Sequence, residues 1–217
     1  MTELILKGVL SYLLGSIMGS LTVARLTGGA DIRTQGSGNA GATNALRTQG
    51  KKVALAVLLI DLAKGWIATG AIATWAVPAG IAPAAAPLAA WNVPVCGIAV
   101  MLGHVYPLWY GFRGGKGVAT LLGAVLGINA WLLVPLILTW LAAVIVFGYV
   151  GLASILGAVA LAVAMALTRP GRPLLVFGIL AALLILYTHR SNMARMRAGT
   201  ESRARRLWLF GTRRGHA

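Results

Sequence analysis

The chain has 217 residues, of which 59% are hydrophobic and 11% charged, and its mean hydropathy is +0.83. A soluble domain needs more polar surface than this, so the composition excludes an ordinary soluble protein. The formal charge of +15 lies in a few polar segments, which favours anionic lipids and an anionic substrate over nucleic acid. Long apolar runs favour helices over barrel strands. We predict an all-α, polytopic integral membrane helical bundle.

The polar segments between the apolar runs predict the topology. Residues 25–52, 104–117 and 188–217 are basic, whereas residues 77–94 contain four prolines and no charge. Because short basic loops stay in the cytoplasm, we place the three basic segments inside, and the uncharged segment and the N-terminus outside. The N-terminal residues lack the features of a cleaved signal peptide, so they form a retained first span. The first three predicted spans cover residues 4–24, 53–76 and 95–109.

Residues 118–187 must cross the membrane an even number of times if both flanking basic segments are inside. Four spans of about 17 residues fit this stretch, and two would leave too much apolar chain. The expected breaks are 129–131, 148–151 and 168–173, the last of which carries Arg169 and Arg172 outside, against the charge rule. We predict seven transmembrane helices, with five as the alternative, and a cytoplasmic C-terminus.

Small residues recur at four-residue spacing in two predicted spans, which lets helix backbones approach closely. The single cysteine, Cys96, is interpreted as a packing residue. We expect one membrane-embedded domain over 1–217, with a basic cytoplasmic tail at about 202–217 that binds acidic lipid. The two stripes consist of Ser11, Gly15 and Gly19, and of Ala119, Gly123 and Gly127.

The first basic segment contains SGNAGATNALR at 37–47, a dense set of hydroxyls, amides and glycines. An ordinary turn that caps the next helix is one interpretation. A site for a polar ligand is the other, because glycines let backbone N–H groups face an anion and Arg47 can bind a phosphate with two parallel hydrogen bonds. The candidate residues are Ser37, Gly38, Asn39, Gly41, Thr43, Asn44 and Arg47.

The second basic segment reads GHVYPLWYGFRGGKGVAT at 103–120. Its glycine-rich turn leads into an apolar helix and contains a lysine, which is a sensible phosphate cradle of bare N–H groups, a helix N-terminus and a cation. It does not fit the Walker A pattern, since Gly117 stands where a metal-binding hydroxyl belongs. The candidate residues are His104, Gly114, Gly115, Lys116 and Gly117.

The third basic segment places His189, Asn192 and Arg195 at three-residue spacing, so they would share one face of a continued helix. A lipid-bound basic tail explains the later arginines, but it explains His189, Asn192 and Glu201 less well. Within the second span, Asp61 and Lys64 lie on one helical face. They are functional candidates or a mutual ion pair, and Asp61 could alternatively orient a cytoplasmic arginine.

These three motifs, in this order and spacing, resemble those of the bacterial acyl-phosphate:glycerol-3-phosphate acyltransferases, the PlsY family. The sequence DLAKG at 61–65 is similar to a further feature of that family. The resemblance covers essentially the whole chain up to Glu201.

The resemblance implies transfer of a fatty acyl group from acyl-phosphate to the sn-1 hydroxyl of sn-glycerol 3-phosphate at the bacterial inner membrane. This reaction forms lysophosphatidic acid in the first acylation of phospholipid synthesis. The resemblance also implies no use of acyl-CoA, acyl carrier protein, nucleotide, metal or other cofactor. By the same resemblance Ser37, Arg47, His189 and Asn192 are catalytic, the turn at 114–117 binds glycerol 3-phosphate, and Glu201 is structural. We further expect a monomer and treat Asp61 and Lys64 as structural.

The catalytic base is not evident, because Trp109 stands where related acyltransferases carry an acid five residues after the histidine. Orientation, charge stabilisation and a substrate phosphate as base are the leading ideas. Without an adjacent base, Ser37 is better interpreted as a hydrogen-bonding ligand than as a nucleophile. A transporter for an anionic solute is the rival class, but the polar motifs cluster on one predicted face and no inverted repeat is visible.

Overall fold

A computed structural model describes residues 1–168, 171–205 and 207–210. The regular structure of these residues is helical, as predicted. They form two compact units, 1–130 and 131–217, described here one at a time. The α-helices are α1 (Thr2–Gly15), α2 (Gly19–Thr27), α3 (Ala42–Thr48), α4 (Lys51–Trp66), α5 (Ala86–Ala89), α6 (Asn92–Val105), α7 (Val118–Ile128), α8 (Leu133–Phe147), α9 (Val150–Thr168), α10 (Arg172–Thr188) and α11 (Arg190–Arg197).

The helices begin and end close to the predicted breaks. Helix α8 starts after the first expected break in the stretch 118–187, and Gly148 ends it in a left-handed conformation at the second. Gly171 precedes α10 at the third, where Arg169 lies outside the described residues. The three breaks are therefore confirmed as helix boundaries, because they carry the glycines and polar residues at which apolar helices stop.

Among the described residues, four helices are long and apolar enough to cross a membrane, and six if each of two bent pairs counts as one span. The bends are 46° between α1 and α2 and 49° between α10 and α11, so the first predicted span is not one straight helix. Helix α7 has 11 residues, about 16 Å at 1.5 Å per residue, against a hydrocarbon core of about 30 Å. The predicted count of seven therefore stays a prediction.

Glycines set the packing of the first unit, as the predicted stripes of small residues require. A Cβ on Gly15 would collide with the backbone of Val100 in α6, and one on Gly103 would collide with Tyr12 O in α1. The same holds between α4 and α7, where Gly65 and Gly123 each lie against the backbone of the other helix. Backbone-to-backbone contact of this kind replaces the missing hydrophobic driving force in a bilayer.

In the second unit, α9 packs against both α8 and α10. Gly157 of α9 lies against Leu136 of α8, and Gly178 of α10 lies against Met165 of α9. Helix α11 also contacts α9, through Gly151 and Asn192. Unit two is thus a three-helix layer with a short basic helix at one end.

Candidate active site

The first polar motif is held together by Asn44. Its amide nitrogen donates to Gln35 O at 2.9 Å and Ile32 O at 3.3 Å, and its Oδ1 accepts from Ser37 N–H at 3.1 Å. The side chain is buried at 3% exposure, so these partners satisfy a polar group that would otherwise be costly. Asn44 therefore shapes the loop through both ends of its amide, and its predicted role in substrate binding stays a prediction.

Ser37 and Arg47 are exposed, in contrast to Asn44. Ser37 lies in the loop that Asn44 fixes, and Arg47 lies in the last turn of α3. Within the described residues, Arg47 forms no ion pair with a carboxylate, and the Ser37 hydroxyl has no histidine or carboxylate partner. The two groups are thus available to a ligand. The other candidates here, Gly38, Asn39, Gly41 and Thr43, are half-buried or exposed in the same loop or the first turn of α3.

The first and second polar motifs lie at the same end of unit one. Arg33 joins them, because its Nη1 donates to Tyr110 O at 3.0 Å. Asp31 holds Arg33 with an Oδ2–Nη2 distance of 2.7 Å, and this hydrogen-bonded guanidinium lowers the pKa of the Asp31 carboxyl below its usual value. The ring of Tyr110 also packs against the apolar cluster beneath the first motif. The two segments that sequence analysis assigned to phosphate are therefore neighbours.

The glycine turn is built differently from the predicted cradle. Gly114 N–H donates to Val105 O and Gly115 N–H donates to His104 O, each at 3.1 Å. These two N–H groups close the turn against α6, so the turn is not a row of bare N–H groups, and substrate binding by Gly114 and Gly115 stays a prediction. Helix α7 begins directly after Gly117, which has φ +86°, and Lys116 precedes it, so the start of α7 is the candidate anion site here.

Helix α7 carries a further polar group in its first turn. Thr120 is buried, and its hydroxyl oxygen has no hydrogen-bond partner among the described residues. Its backbone carbonyl lies where a Cβ on Gly65 would be. The start of α7 is therefore pressed against α4 on the side where the Asp61 network lies.

Asp61, Lys64 and His104 form one buried network. The Lys64 ammonium lies 2.9 Å from Asp61 Oδ1, 2.7 Å from His104 Nδ1, and 3.0 Å from each of Gly15 O and Ile17 O. Each of the three side chains is at most 3% exposed. The structure therefore contains the predicted ion pair between Asp61 and Lys64. The second side chain beside Asp61 is the imidazole of His104 and not an arginine.

The network explains the bend between α1 and α2. The bend leaves carbonyls of Gly15 and Ile17 without helical partners, and Lys64 donates to both. Asp61 Oδ1 accepts from Gly19 N–H, at the start of α2, at 3.3 Å. Lys64 and Asp61 of α4 thus supply hydrogen bonds to the backbone groups at the two sides of the bend. Lipid tails could not supply these hydrogen bonds.

In unit two, Glu201 organises the third motif. Its Oε1 accepts from Asn192 Nδ2 at 2.7 Å, and its Oε2 lies 2.6 Å from Arg195 Nε. The helix does not continue through His189 as predicted, because it bends there and α11 begins at Arg190. His189 is buried and its Nδ1 lies 2.8 Å from Ile185 O. Since a carbonyl only accepts, Nδ1 carries the ring proton in the neutral imidazole.

The described residues after Glu201 are packed onto the end of α8 and the start of α9. Ala204 N–H donates to Gly148 O and Leu209 N–H to Ile145 O, each at 2.8 Å. The Arg203 guanidinium lies between the rings of Tyr149 and Trp208, at 4.7 and 4.0 Å from their centroids. Two aromatic rings thus fix the position of Arg203, and its lipid-binding role stays a prediction. Residues 206 and 211–217 of the predicted tail lie outside the described residues.

A second buried ion pair was not anticipated. Glu3 and Lys7 lie 2.6 Å apart in α1. Glu3 also accepts from Ala84 N–H at 2.6 Å and Asn92 Nδ2 at 2.9 Å, while Lys7 Nζ donates to Ala73 O at 2.8 Å. The pair fastens the uncharged, proline-rich loop to the start of the chain. Its signal was present in the sequence as an acid and a base four residues apart in an apolar helix.

Comparisons with known proteins cover nearly the whole chain. Residues 5–199 match the family described as "Glycerol-3-phosphate acyltransferase". Curated proteins of that name from Laribacter hongkongensis (43% identity, covering 90% of this chain and 93% of the relative) and Sinorhizobium fredii (40% identity, 88% and 88%) are similar to it. So is the crystal structure of PlsY (YgiH), an integral membrane glycerol 3-phosphate acyltransferase in its glycerol 3-phosphate form. That similarity has a TM-score of 0.81 at 34% identity and covers 92% of this chain and 94% of that one.

Proposed function

Because the chain belongs to the glycerol-3-phosphate acyltransferase family, we propose that it transfers a fatty acyl group from acyl-phosphate to the sn-1 hydroxyl of sn-glycerol 3-phosphate. The acyl carbon forms a new bond to the attacking hydroxyl oxygen, and its bond to the donor's phosphate breaks. The products are lysophosphatidic acid and inorganic phosphate. The donor is already activated, so the reaction needs neither nucleotide nor any other cofactor.

The observation that carries this proposal is the meeting of two anion-binding segments in unit one. The loop with Ser37 and Arg47 and the segment leading to Lys116 are joined by the hydrogen bond from Arg33 to Tyr110 O. Both substrates carry phosphate, and an arginine-rich, acid-poor surface gathers anions by Coulomb attraction. Two neighbouring anion sites are what an acyl transfer between two phosphorylated molecules requires.

The residues divide between the two phosphates. The start of α7, with Lys116 and the N–H groups that follow Gly117, binds the phosphate of glycerol 3-phosphate. Arg47 meets the charge that develops on the leaving phosphate, through two parallel hydrogen bonds. Ser37 acts as a hydrogen-bonding ligand, which the absence of a basic partner among the described residues supports.

His189 and Asn192 also take part in this proposal. Glu201 fixes the amide of Asn192, and the bond from His189 Nδ1–H to Ile185 O places the lone pair of the neutral ring on Nε2. A substrate phosphate takes the proton of the attacking hydroxyl. The whole chain then works as one membrane-embedded acyltransferase domain and as a monomer.

We place the active site on the cytoplasmic side of the bacterial inner membrane, in a seven-span topology with the N-terminus outside. Contacts within each unit support the sides assigned to the loops. Glu3 binds Ala84 of the uncharged loop, Arg33 joins two basic segments, and Ala204 binds Gly148 at the α8–α9 connection. Each contact pairs segments that the positive-inside rule had put on the same side.

The direct test is turnover by the purified protein in lipid or detergent. Acyl-phosphate with glycerol 3-phosphate should release phosphate and form 1-acyl-glycerol 3-phosphate, with no loss of rate in chelator. Acyl-CoA and acyl carrier protein should not replace the donor. Robust activity with acyl-CoA would refute the donor assignment while leaving the family assignment intact.

A further inference from the structure

His104 was expected to bind substrate, but its surroundings give it another role. Its Nδ1 lies 2.7 Å from the Lys64 ammonium and 3.5 Å from Asp61 Oδ1. Lys64 in turn lies within 3.0 Å of Asp61 Oδ1, Gly15 O and Ile17 O. One side of the imidazole is therefore committed to a buried charge network.

The Lys64 contact determines which ring nitrogen carries the proton. An ammonium group has three N–H donors and no acceptor. We assign these donors to Gly15 O, Ile17 O and His104 Nδ1, the last being the shortest contact at 2.7 Å, and Asp61 is then held by charge. Nδ1 is the acceptor in this arrangement. The proton of the neutral imidazole is then on Nε2. His189 is held the other way round, because its Nδ1 lies against the carbonyl oxygen of Ile185. The two histidines are thus fixed as opposite tautomers.

The Nε2 side of His104 faces the glycine turn. A Cβ added to Gly115 would collide with His104 Nε2 and crowd both neighbouring ring carbons. The backbone joins the same two residues, since Gly115 N–H donates to His104 O at 3.1 Å. The ring is therefore the surface on which the turn before Lys116 rests.

We propose that His104 is a positioning residue, held by Lys64 as the Nε2–H tautomer, which seats the Gly115 turn so that Lys116 and the start of α7 face the acceptor phosphate. This inference rests on the proposed function for the role of Lys116, but the tautomer itself does not. His104 is then neither the catalytic base nor a ligand of the substrate. Asp61 and Lys64 act on the reaction through it, by fixing both the ring and the bend between α1 and α2.

The tautomer is tested by nitrogen NMR on wild-type protein labelled with ¹⁵N-histidine, at a pH where the rings are neutral. The chain has three histidines, and the His104→Gln spectrum identifies the signals of His104. We expect a pyridine-like Nδ1 on His104 and a pyrrole-like Nδ1 on His189. A pyrrole-like Nδ1 or an imidazolium at His104 would overturn the proposal, whatever the protein catalyses.

The positioning role is tested by two replacements. Glutamine fills the space that Nε2 occupies beside Gly115, whereas asparagine reaches only as far as Nδ1 and leaves that space empty. We expect His104→Gln to stay within about threefold of wild type and His104→Asn to raise the KM for glycerol 3-phosphate about tenfold through the lost packing, with kcat and its pH profile nearly unchanged. Lys52→Gln, an exposed change on α4, should match wild type. A large fall in kcat with an altered pH profile in both variants would identify His104 as a base and contradict the proposal.

Discussion

The side-chain oxygen of Asn44 accepts a hydrogen bond from the backbone N–H of Ser37 at 3.1 Å, across seven residues of the chain. The Asn44 amide nitrogen holds two carbonyls of the same loop. The position of Ser37 therefore depends on the Asn44 side chain, whose amide is bonded within the loop.

Asn44→Ala should remove this support. Ser37 N–H would lose its partner, whereas Ile32 O and Gln35 O would each keep one backbone donor. A buried polar group left unpaired costs about 1–3 kcal/mol. We expect a lower midpoint of thermal unfolding in detergent and a loss of activity at least as large as that of Ser37→Ala. Leu46→Ala, an exposed change on the same helix, is the control. An Asn44→Ala protein with wild-type stability and turnover would show that the loop does not need this side chain.

Gly115→Ala should impair the acceptor site by steric displacement. The added Cβ would collide with the His104 ring, so the turn and Lys116 would shift while no charge is removed. We expect the KM for glycerol 3-phosphate to rise strongly and the KM for acyl-phosphate to change little. Gly70→Ala adds the same methyl group where the nearest atom is 3.8 Å away, and it should behave like wild type. A rise confined to the acyl-phosphate KM would reverse the assignment of the turn.

Arg47→Lys and Lys116→Ala should separate the two phosphates. Lysine keeps the charge of Arg47 but not its planar pair of donors, so kcat should fall because the lost contact develops as the acyl–phosphate bond breaks. Lys116→Ala should raise the acceptor KM by about ten- to a hundredfold, since a charge-assisted hydrogen bond is worth about 1.5–3 kcal/mol. A two-substrate kinetic matrix distinguishes these patterns. If Arg47→Lys had wild-type kinetics, we would conclude that Arg47 faces lipid and is not part of the active site.

Glu201→Gln should destabilise the third motif. Both carboxylate oxygens accept hydrogen bonds, from Asn192 Nδ2 and Arg195 Nε, whereas a glutamine amide would turn an NH₂ group towards one of these donors. We expect a loss of about 1.5–3 kcal/mol of local stability, measured as faster amide exchange in α11 and as a lower thermal midpoint. Ser202→Ala, the exposed neighbour, is the control. Unchanged exchange in α11 would contradict the role of Glu201.

Cysteine labelling should establish the sides of the loops. In a background without Cys96, a cysteine at Gly80 should react with an impermeant reagent from outside. Cysteines at Thr48 and Ser202 should react from inside, because both lie in basic segments. If Thr48 and Ser202 were labelled from opposite sides, the number of crossings between them would be odd and the seven-span count would fail.

Local chemistry explains which features the sequence predicted. Gly148 and Gly171 ended or preceded helices where expected, because glycine adopts positive φ at little cost. The bend at Ser16 was not predicted, since it has no proline and depends on Lys64 donating to carbonyls 47 and 49 residues earlier in the chain. The hydrogen bond from Gly115 N–H to His104 O was not predicted either, because it also depends on how the chain folds back on itself. A glycine motif indicates where backbone N–H groups are accessible. It does not indicate whether those N–H groups already donate to another part of the protein.

The glycine contacts between α1 and α6, and between α4 and α7, have a consequence for how this enzyme can evolve. At Gly15, Gly65, Gly103 and Gly123 the neighbouring atom belongs to a main chain, which has no rotamer to change. A mutational library should therefore find its least tolerant positions among the smallest residues of the membrane region. Large, exposed residues such as Leu138 and Leu183 should accept many apolar replacements. Substitution rates along this chain would then depend more on whether the neighbouring group can move than on the size of the side chain that is replaced.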